Sequence, residues 1–191
     1  MLLLELLHQW CKARYGFASL GAGSVIKPPP RTIAGGRYIS IGKNCYFGEH
    51  LTLVAPDEVN GERYTPTCTI GDNCAFGSAN FISCTSSITI ENDVTTSSRV
   101  FIGDSYHGYE DIALPVGRQP MQGHAGVVIG EGSFLGIGSA VLHGVRLGKH
   151  CYVGANAVVT ASFGDYTVIV GNPARAIRRY DPGSRAWVSV E

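Results

Sequence analysis

The chain has 191 residues, the length of one ordinary domain with short appendages. Lysine and arginine together number 15, as do aspartate and glutamate, so no net charge draws the chain to nucleic acid or to an acidic membrane surface. Glycine occupies 25 positions, nearly twice the usual share of roughly 7%, which indicates many tight turns.

Residues 1–17 predict a short amphipathic helix, because apolar residues recur at helical spacing. These residues are Leu2, Leu3, Leu6, Leu7 and Trp10. The segment is a poor signal peptide, since no basic residue precedes the apolar run and Glu5 interrupts it. It is also shorter than the roughly 20 residues of a membrane span. We expect a cytoplasmic protein whose helix packs on an open end of the fold or on a neighbouring subunit, with weak contact to a membrane surface as an alternative.

The run Lys27–Pro30 predicts a stiff spacer that ends an appended segment of residues 1–30. Beyond it, from about Ile39, an aliphatic or aromatic residue recurs at intervals of six. The repeat is most regular at Ile129, Leu135, Val141, Leu147, Val153 and Val159. Glycine follows most of these residues, and a small residue stands three places further on. A period of six predicts an all-β fold, a parallel β-helix in which three hexapeptides close one triangular coil.

In this fold the aliphatic residue points into the prism, the glycine permits the turn and the small residue fills the corner. Residues 31–170 would form about five coils. Helices with a heptad period are a poor alternative, because each internal glycine would cost about 1 kcal/mol.

Three interruptions break the repeat. The first covers residues 55–68, the second adds two residues between Ile82 and Ile90, and the third is the long insertion 104–127. If three hexapeptides close each coil, all three interruptions leave the prism at the same corner. We therefore expect them to stack along one edge, and polar loops above a rigid scaffold are where a functional site is expected.

The long insertion contains two histidines that compete for a chemical role. His107 stands beside Gly108, and a histidine on such a loop can act as a general base near neutral pH. His124 lies close to the point where the chain re-enters the repeat, so we expect it to anchor the loop.

After Phe163 the repeat ends, and residues 171–191 predict a short C-terminal helix and tail. Asn172 is a good N-cap and Pro173 fits the first helical position. Arg175, Arg178 and Arg179 follow. A helix start beside arginines is typical of an anion site, although the helix could equally serve only to close the prism.

Residues 39–179 resemble the hexapeptide-repeat acyltransferase superfamily, and in particular its polysaccharide and sugar O-acetyltransferases. The resemblance rests on Asp104-Ser105-Tyr106-His107-Gly108-Tyr109, on Gln119-Pro120 and on Gly171-Asn172-Pro173-Ala174. It implies left-handed coils, a homotrimer, acetyl-CoA as co-substrate and a sugar or polysaccharide precursor as acceptor. Ser105 departs from the motif, because many relatives have a histidine there, and Phe134 stands where relatives often have tryptophan.

The same resemblance implies roles for individual residues. His107 would be the general base of the transfer. Backbone at Gly136, Ser139 and Gly154 would contact the pantetheine arm, and Arg175 would lie near the phosphates. The motif residues Asp104, Tyr109 and Gln119 would contact the acceptor.

Other functions remain open at this stage. N-acetylation of an amino sugar or nucleotide sugar is a close alternative to O-acetylation. A metal hydratase similar to the γ-class carbonic anhydrases would need histidines at an H-x₄-H spacing, which the six histidines do not provide. A non-catalytic β-helical assembly subunit is a third alternative. The six cysteines form no CxxC pair and no zinc-site spacing, so we expect buried thiols in a reducing compartment and no bound metal.

Overall fold

The computed structural model describes residues 2–190, with side chains from Glu5 onward. Helix α1 spans Leu2–Tyr15 and packs against the first coil of the prism. Cys11 is fully buried in this contact, and the His8 Nδ1 atom lies 2.8 Å from the Ser24 carbonyl oxygen. The predicted helix and its packing on the end of the prism are confirmed; the side chains of Leu2 and Leu3 lie outside the described residues. No helix within residues 2–190 has the length and apolar character needed to cross a bilayer.

The first four coils each contribute three short strands. Coil one contains β1 (Ser19–Leu20), β2 (Val25–Ile26) and β3 (Thr32–Ala34). Coil two contains β4 (Ile39–Ile41), β5 (Tyr46–Phe47) and β6 (Thr52–Val54). The hairpin of β7 (Glu58–Val59) and β8 (Glu62–Arg63) precedes coil three, with β9 (Thr67–Ile70), β10 (Ala75–Phe76) and β11 (Phe81–Ser83). Coil four contains β12 (Ser87–Ile90), β13 (Thr95–Thr96) and β14 (Phe101–Gly103).

The long insertion separates coil four from the remaining coils. It contains β15 (Tyr106–His107) and β16 (Met121–Gln122), which pair with each other, and a helical turn, Val116–Arg118. Coil five contains β17 (Val127–Ile129), β18 (Phe134–Leu135) and β19 (Ala140–Val141). Coil six contains β20 (Arg146–Leu147), β21 (Tyr152–Val153) and β22 (Val158–Val159). A partial seventh coil ends in β23 (Thr167–Gly171).

The strands form three parallel faces, so the fold is a left-handed parallel β-helix as expected. The first face has the order β1-β4-β9-β12-β17-β20, the second runs from β2 through β5, β10, β13, β18 and β21 to β23, and the third has the order β3-β6-β11-β14-β19-β22. Equivalent residues stack in register: Ile70 pairs with Ile41 on one side and with Ile90 on the other. All three side chains are buried, and they form part of a continuous apolar core.

Glycine after the inward aliphatic residue lets successive coils stack closely. A Cβ atom on Gly130 would overlap the backbone of Gly148 in the next coil. The core also stacks the rings of Phe47 and Phe76, whose centroids are 4.5 Å apart. All six cysteines are buried free thiols, as predicted.

The prism begins one coil earlier than the sequence analysis predicts. Leu20, Ile26 and Ile33 pair with the inward residues of coil two, so residues 19–34 already form a coil. The spacing from Ile26 to Ile33 is seven residues, because the proline run adds one residue to a turn. Lys27–Pro30 is therefore a turn of the first coil, and the boundary expected between residues 30 and 31 falls inside the prism.

The predicted C-terminal helix is wrong. Residues after Gly171 form β24 (Ala174–Asp181) and β25 (Ala186–Ser189), an antiparallel extension of the second face. The outer edge of strand β23 carries backbone N–H and C=O groups that need hydrogen-bond partners. Residues Ala174 to Arg179 of β24 pair with this edge. Gly171, with φ of 97°, supplies the reversal. Pairing with the prism thus overrides the local capping signal at Asn172.

Candidate functional site

The three insertions lie together at the corner between the third and first faces, as the count of hexapeptides predicts. We call this corner the insertion edge. The amide of Asn60, in the β7–β8 hairpin, donates to the carbonyl oxygens of Gly117 and Gln119 at 3.0 and 2.8 Å. The backbone N–H of Met121 donates to the Tyr64 hydroxyl at 3.0 Å. The first insertion therefore braces the long insertion against the prism.

Asp104 links the long insertion to the two-residue insertion before coil four. Its carboxylate is fully buried and accepts hydrogen bonds from the backbone N–H groups of Thr85 and Ser86 at 2.9 and 2.8 Å. The Thr85 hydroxyl donates a third at 3.3 Å. Both carboxylate oxygens are thus engaged inside the protein. These contacts fit a role of Asp104 in positioning the loop, and its contact with the acceptor stays a prediction.

Gln119 also acts within the loop. Its side chain is 3% exposed, and its Nε2 donates to the carbonyl oxygens of Asp111 and Leu114 at 2.8 and 3.0 Å. Its Oε1 accepts from the Asp111 N–H at 3.2 Å. Because both amide hydrogens are used within the loop, these contacts fit a positioning role, and the acceptor contact of Gln119 stays a prediction.

A cavity of 440 Å³ lies between the long insertion and the third face. Its walls are Phe101, Gly103, Ser105, Tyr106, Tyr109, Leu142 and His143. The Tyr106 ring lies between two others, with centroid distances of 4.9 Å to His143 and 6.1 Å to Tyr109. Aromatic faces can stack on the apolar C–H face of a sugar ring, while hydroxyl and imidazole groups bind its hydroxyls. Tyr109, which the sequence analysis predicts to contact the acceptor, is part of this wall and is 62% exposed.

His107 occupies the neighbouring position on the two-residue strand β15. Successive side chains of a strand point to opposite sides, so His107 points away from the Tyr106 cavity. The side chain is exposed. The structure therefore leaves this imidazole available but does not direct it into the cavity of its own chain.

His143 is the histidine of that cavity, and the sequence analysis did not identify it. It lies in an ordinary turn of coil five, which the hexapeptide pattern marks only as a connection. The pairing of successive coils is the signal that could have identified His143. Val141 pairs with Ile102, so the residues after Val141 lie beside the start of the long insertion.

His124 is held by the loop. Its Nε2 atom lies 2.7 Å from the Met121 carbonyl oxygen, and its Nδ1 lies 3.5 Å from the Thr85 hydroxyl. Its ring centroid is 5.2 Å from that of Tyr64. Since a carbonyl only accepts, the Nε2 atom carries the proton in this contact. These contacts fit the anchoring role predicted for His124.

Gly136, Ser139 and Gly154 lie at a different corner, between the second and third faces. Their N–H groups are paired inside the prism, with the carbonyls of Val153, Gly136 and Ile169 at 2.8, 3.1 and 2.8 Å respectively. The Ser139 hydroxyl is buried without a hydrogen-bond partner among residues 2–190. None of these three backbone donors is therefore free to bind a ligand.

The free donors of this corner belong to the next residues along the chain. Within the described residues, the N–H groups of Ile137 and Ala155 have no hydrogen-bond partner, and both residues are exposed. The sequence pattern does not predict these unpaired amides. Which N–H of a turn stays unpaired depends on the hydrogen bonds that the turn makes with the adjacent coil. The result is an edge with two unpaired donors on exposed residues, which we call the donor edge.

Arg175 lies at the foot of the donor edge. It pairs with Val170, whose side chain is the nearest neighbour of Gly154. The guanidinium is exposed and donates to the Ala174 carbonyl at 2.8 Å. The residue stands on a strand, so a helix N-terminus does not contribute to anion binding here. Residues 2–190 also contain no group of three histidine, cysteine or acidic side chains placed to hold a metal ion.

The repeat and the fold are similar to those of hexapeptide-repeat proteins, and residues 126–161 match the family model described as bacterial transferase hexapeptide (six repeats). More particularly, the chain resembles the sugar O-acetyltransferases of that class. A putative lipopolysaccharide biosynthesis O-acetyl transferase from Escherichia coli is 36% identical over 53% of this chain and 55% of its own length. A galactoside O-acetyltransferase from Lactococcus lactis is 26% identical over 85% of this chain and 63% of its own.

A probable acetyltransferase from Mycobacterium tuberculosis is 28% identical over 85% of this chain and 50% of its own length. The chain thus spans between 50 and 63% of the length of these relatives. Among solved structures, a variant of AntD, an N-acyltransferase from Bacillus cereus, superposes with a TM-score of 0.72 at 20% identity, covering 92% of this chain and 90% of its own. This likeness shows the shared fold.

Proposed function

We propose that this protein transfers an acetyl group from acetyl-CoA to a hydroxyl of a sugar or surface-polysaccharide precursor. The observation that carries the proposal is the aromatic cavity beside strand β15, which bears both Tyr106 and the exposed His107. Its ring-lined wall suits a sugar. The His107 imidazole lies on the opposite side of strand β15, so in this proposal it serves an acceptor whose reacting hydroxyl extends beyond the cavity to the junction with a neighbouring subunit. The likeness to galactoside and lipopolysaccharide O-acetyltransferases supports the choice of a sugar hydroxyl over other acceptors.

In the proposed reaction His107 is the general base. Its imidazole accepts the proton of the sugar hydroxyl while the oxygen attacks the thioester carbon, forming the new C–O bond. The C–S bond then breaks, and the thiolate of CoA takes the proton from the imidazolium. A backbone N–H of the donor edge, from Ile137 or Ala155, stabilises the oxyanion that forms between these steps.

No acyl-enzyme is required by this scheme. Cys84 lies in the second interruption, between Ile82 and Ile90, but it is fully buried. A hydrogen bond with Cys68, and then burial, raise the pKa of the Cys84 thiol far above its usual range. Because the thiolate is the nucleophilic form, this thiol is a poor candidate for accepting the acetyl group.

Acetyl-CoA would lie along the donor edge. Of the Ile137 and Ala155 N–H groups, the one that does not face the oxyanion donates to an amide carbonyl of the pantetheine arm, and Arg175 is placed for the phosphates. Gly136 and Gly154 contribute by lacking side chains: a Cβ on Gly154 would come within 2.9 Å of the Val170 side chain. Ser139 fills the corner behind them.

The separation of the two edges supports a site that is shared between subunits. The insertion edge and the donor edge border opposite sides of the third face. A face of six residues is at most about 20 Å wide. We propose a C3 homotrimer in which the insertion edge of one subunit meets the donor edge of the next, so that His107 acts on acetyl-CoA bound at the junction. Sedimentation should show a trimer; a stable, fully active monomer would contradict this arrangement.

The substrate class can be tested with matched acceptors. Release of the CoA thiol would be followed with neutral sugars, the corresponding amino sugars, nucleotide sugars and polysaccharide fragments. The proposal expects turnover with hydroxyl acceptors and an O-acetyl ester in the product, identified by its lability to mild base. Turnover of amino sugars alone, with an alkali-stable amide, would make the protein an N-acetyltransferase instead.

A further inference from the structure

The third corner of the prism, between the first and second faces, carries an unusual column of residues. At this corner every coil has one residue with a left-handed backbone. In coils one to five, in order, these residues are Gly23, Asn44, Asn73, Asp93 and Gly132. In coils six and seven they are His150 and Tyr166, both with φ of 54°. Glycine, asparagine, aspartate and histidine adopt this conformation at low cost, whereas a tyrosine is an outlier there. The Tyr166 ring therefore stands where the backbone disfavours it, which is typical of functional positions.

These rings continue into a row that the C-terminal hairpin completes. The centroid distances are 5.8 Å from His150 to Tyr166, 6.0 Å from Tyr166 to Tyr180 and 5.9 Å from Tyr180 to Trp187. Two adjoining cavities of 370 and 330 Å³ share His150 and Tyr166 in their walls. Volumes above roughly 300 Å³ are typical of small-ligand sites. We call this feature the aromatic groove; it lies at neither the insertion edge nor the donor edge.

The charges around the groove restrict its ligand. Asp93 and Glu131 line the end beside His150. Lys149 also lies there, but its ammonium group is paired with Glu131 at 3.0 Å. No arginine is among the residues lining either cavity. Carboxylates repel a phosphate and accept hydrogen bonds from hydroxyl groups.

We propose that the aromatic groove is a non-catalytic saccharide-binding site for a neutral glycan. The exposed rings of Tyr166 and Trp187 contact C–H faces of the glycan. Tyr180 lies between them with its plane inclined by 54° to Tyr166 and by 67° to Trp187, and Asp93 and His150 bind hydroxyls at one end. The inference goes beyond acetyl transfer, since binding here needs neither acetyl-CoA nor His107. A glycan held in this groove would be retained by the protein at a site remote from the insertion edge.

The test is binding of neutral oligosaccharides to the complete protein without acetyl-CoA. Saturation-transfer NMR and calorimetry would use malto-, cello-, manno- and chito-oligosaccharides of increasing length at millimolar concentration. At least one series should bind, with affinity rising with length. Tyr166→Asn and Trp187→Ala should each weaken binding at least about tenfold, or abolish it. Tyr46→Ala removes another exposed ring, outside the groove, and should leave affinity unchanged.

Tyr166→Asn is compatible with the fold, because asparagine fills the same position at Asn44 and Asn73. Four outcomes would overturn the proposal. These are no binding across the panel, unchanged affinity in Tyr166→Asn, displacement of the glycan by saturating CoA, and dissociation of the assembly by Tyr166→Asn. Displacement by CoA would assign the groove to the donor, and dissociation would assign it to a subunit interface.

Discussion

Replacement of Asp104 by alanine tests the view that this carboxylate positions the loop. The change removes the acceptor of two backbone N–H groups and of one hydroxyl. Thr85 is 3% exposed, so its N–H would remain buried without a partner. An unsatisfied buried group costs about 1–3 kcal/mol, and the half-buried Ser86 N–H would recover part of its loss from water. We expect a total destabilisation of about 2–4 kcal/mol.

For a chain of this size 1 kcal/mol lowers Tm by about 2–4 °C, so Asp104→Ala should lower Tm by roughly 5–15 °C. Calorimetry would measure the shift, and amide hydrogen exchange at Thr85 would show faster opening at that position. Asp57→Ala is a matched control, because Asp57 is an exposed partner of Arg37 and Tyr38, and its loss should leave Tm nearly unchanged. A Tm of Asp104→Ala equal to that of the control, with unchanged protection at Thr85, would refute the positioning role.

Two further predictions concern the other corners of the prism. Arg175→Ala should raise the KM for acetyl-CoA more than it lowers kcat, because a phosphate contact is similar in the ground and transition states; identical steady-state kinetics would remove Arg175 from the donor site. Tyr166→Asn should raise Tm by about 2–4 °C, since relief of a left-handed bulky residue is worth about 1 kcal/mol. A lower Tm in thermal unfolding would show that packing of the ring outweighs the backbone cost.

The sequence predicts the prism well because its signal is local and repeated. Each inward aliphatic residue, such as Ile129 or Leu135, specifies its own place, and the count of hexapeptides also fixes the corner from which the insertions leave. The count fails where one residue is added: seven residues separate Ile26 and Ile33, and the first coil is missed. Asn172 and Pro173 are favourable residues for the start of a helix. The chain after them instead pairs with the edge of β23, and a local sequence pattern does not predict this tertiary pairing.

The candidate site is harder to predict, because the roles of its side chains depend on contacts between distant segments. The motif correctly marks the residues of the long insertion, yet it does not separate those that face a ligand from those that hold the loop. Asp104 and Gln119 hold the loop by burying their polar atoms among backbone groups of other segments. His143 lies 36 positions after His107 in the sequence, and only the stacking of coils brings it beside Tyr106. Similarly, Ile137 becomes a donor only because its amide is left unpaired.

The most direct test of the proposed function is the rate of CoA thiol release from acetyl-CoA with a sugar acceptor, compared between the wild type and His107→Ala. Loss of a general base typically costs about 10²- to 10⁴-fold in rate. We therefore expect kcat to fall at least about 10²-fold in His107→Ala, with acetyl-CoA affinity and trimer assembly retained, and to fall much less in His124→Ala. Nearly full activity in correctly assembled His107→Ala, with the loss appearing instead in His143→Ala or His124→Ala, would contradict the assignment of His107 as the base.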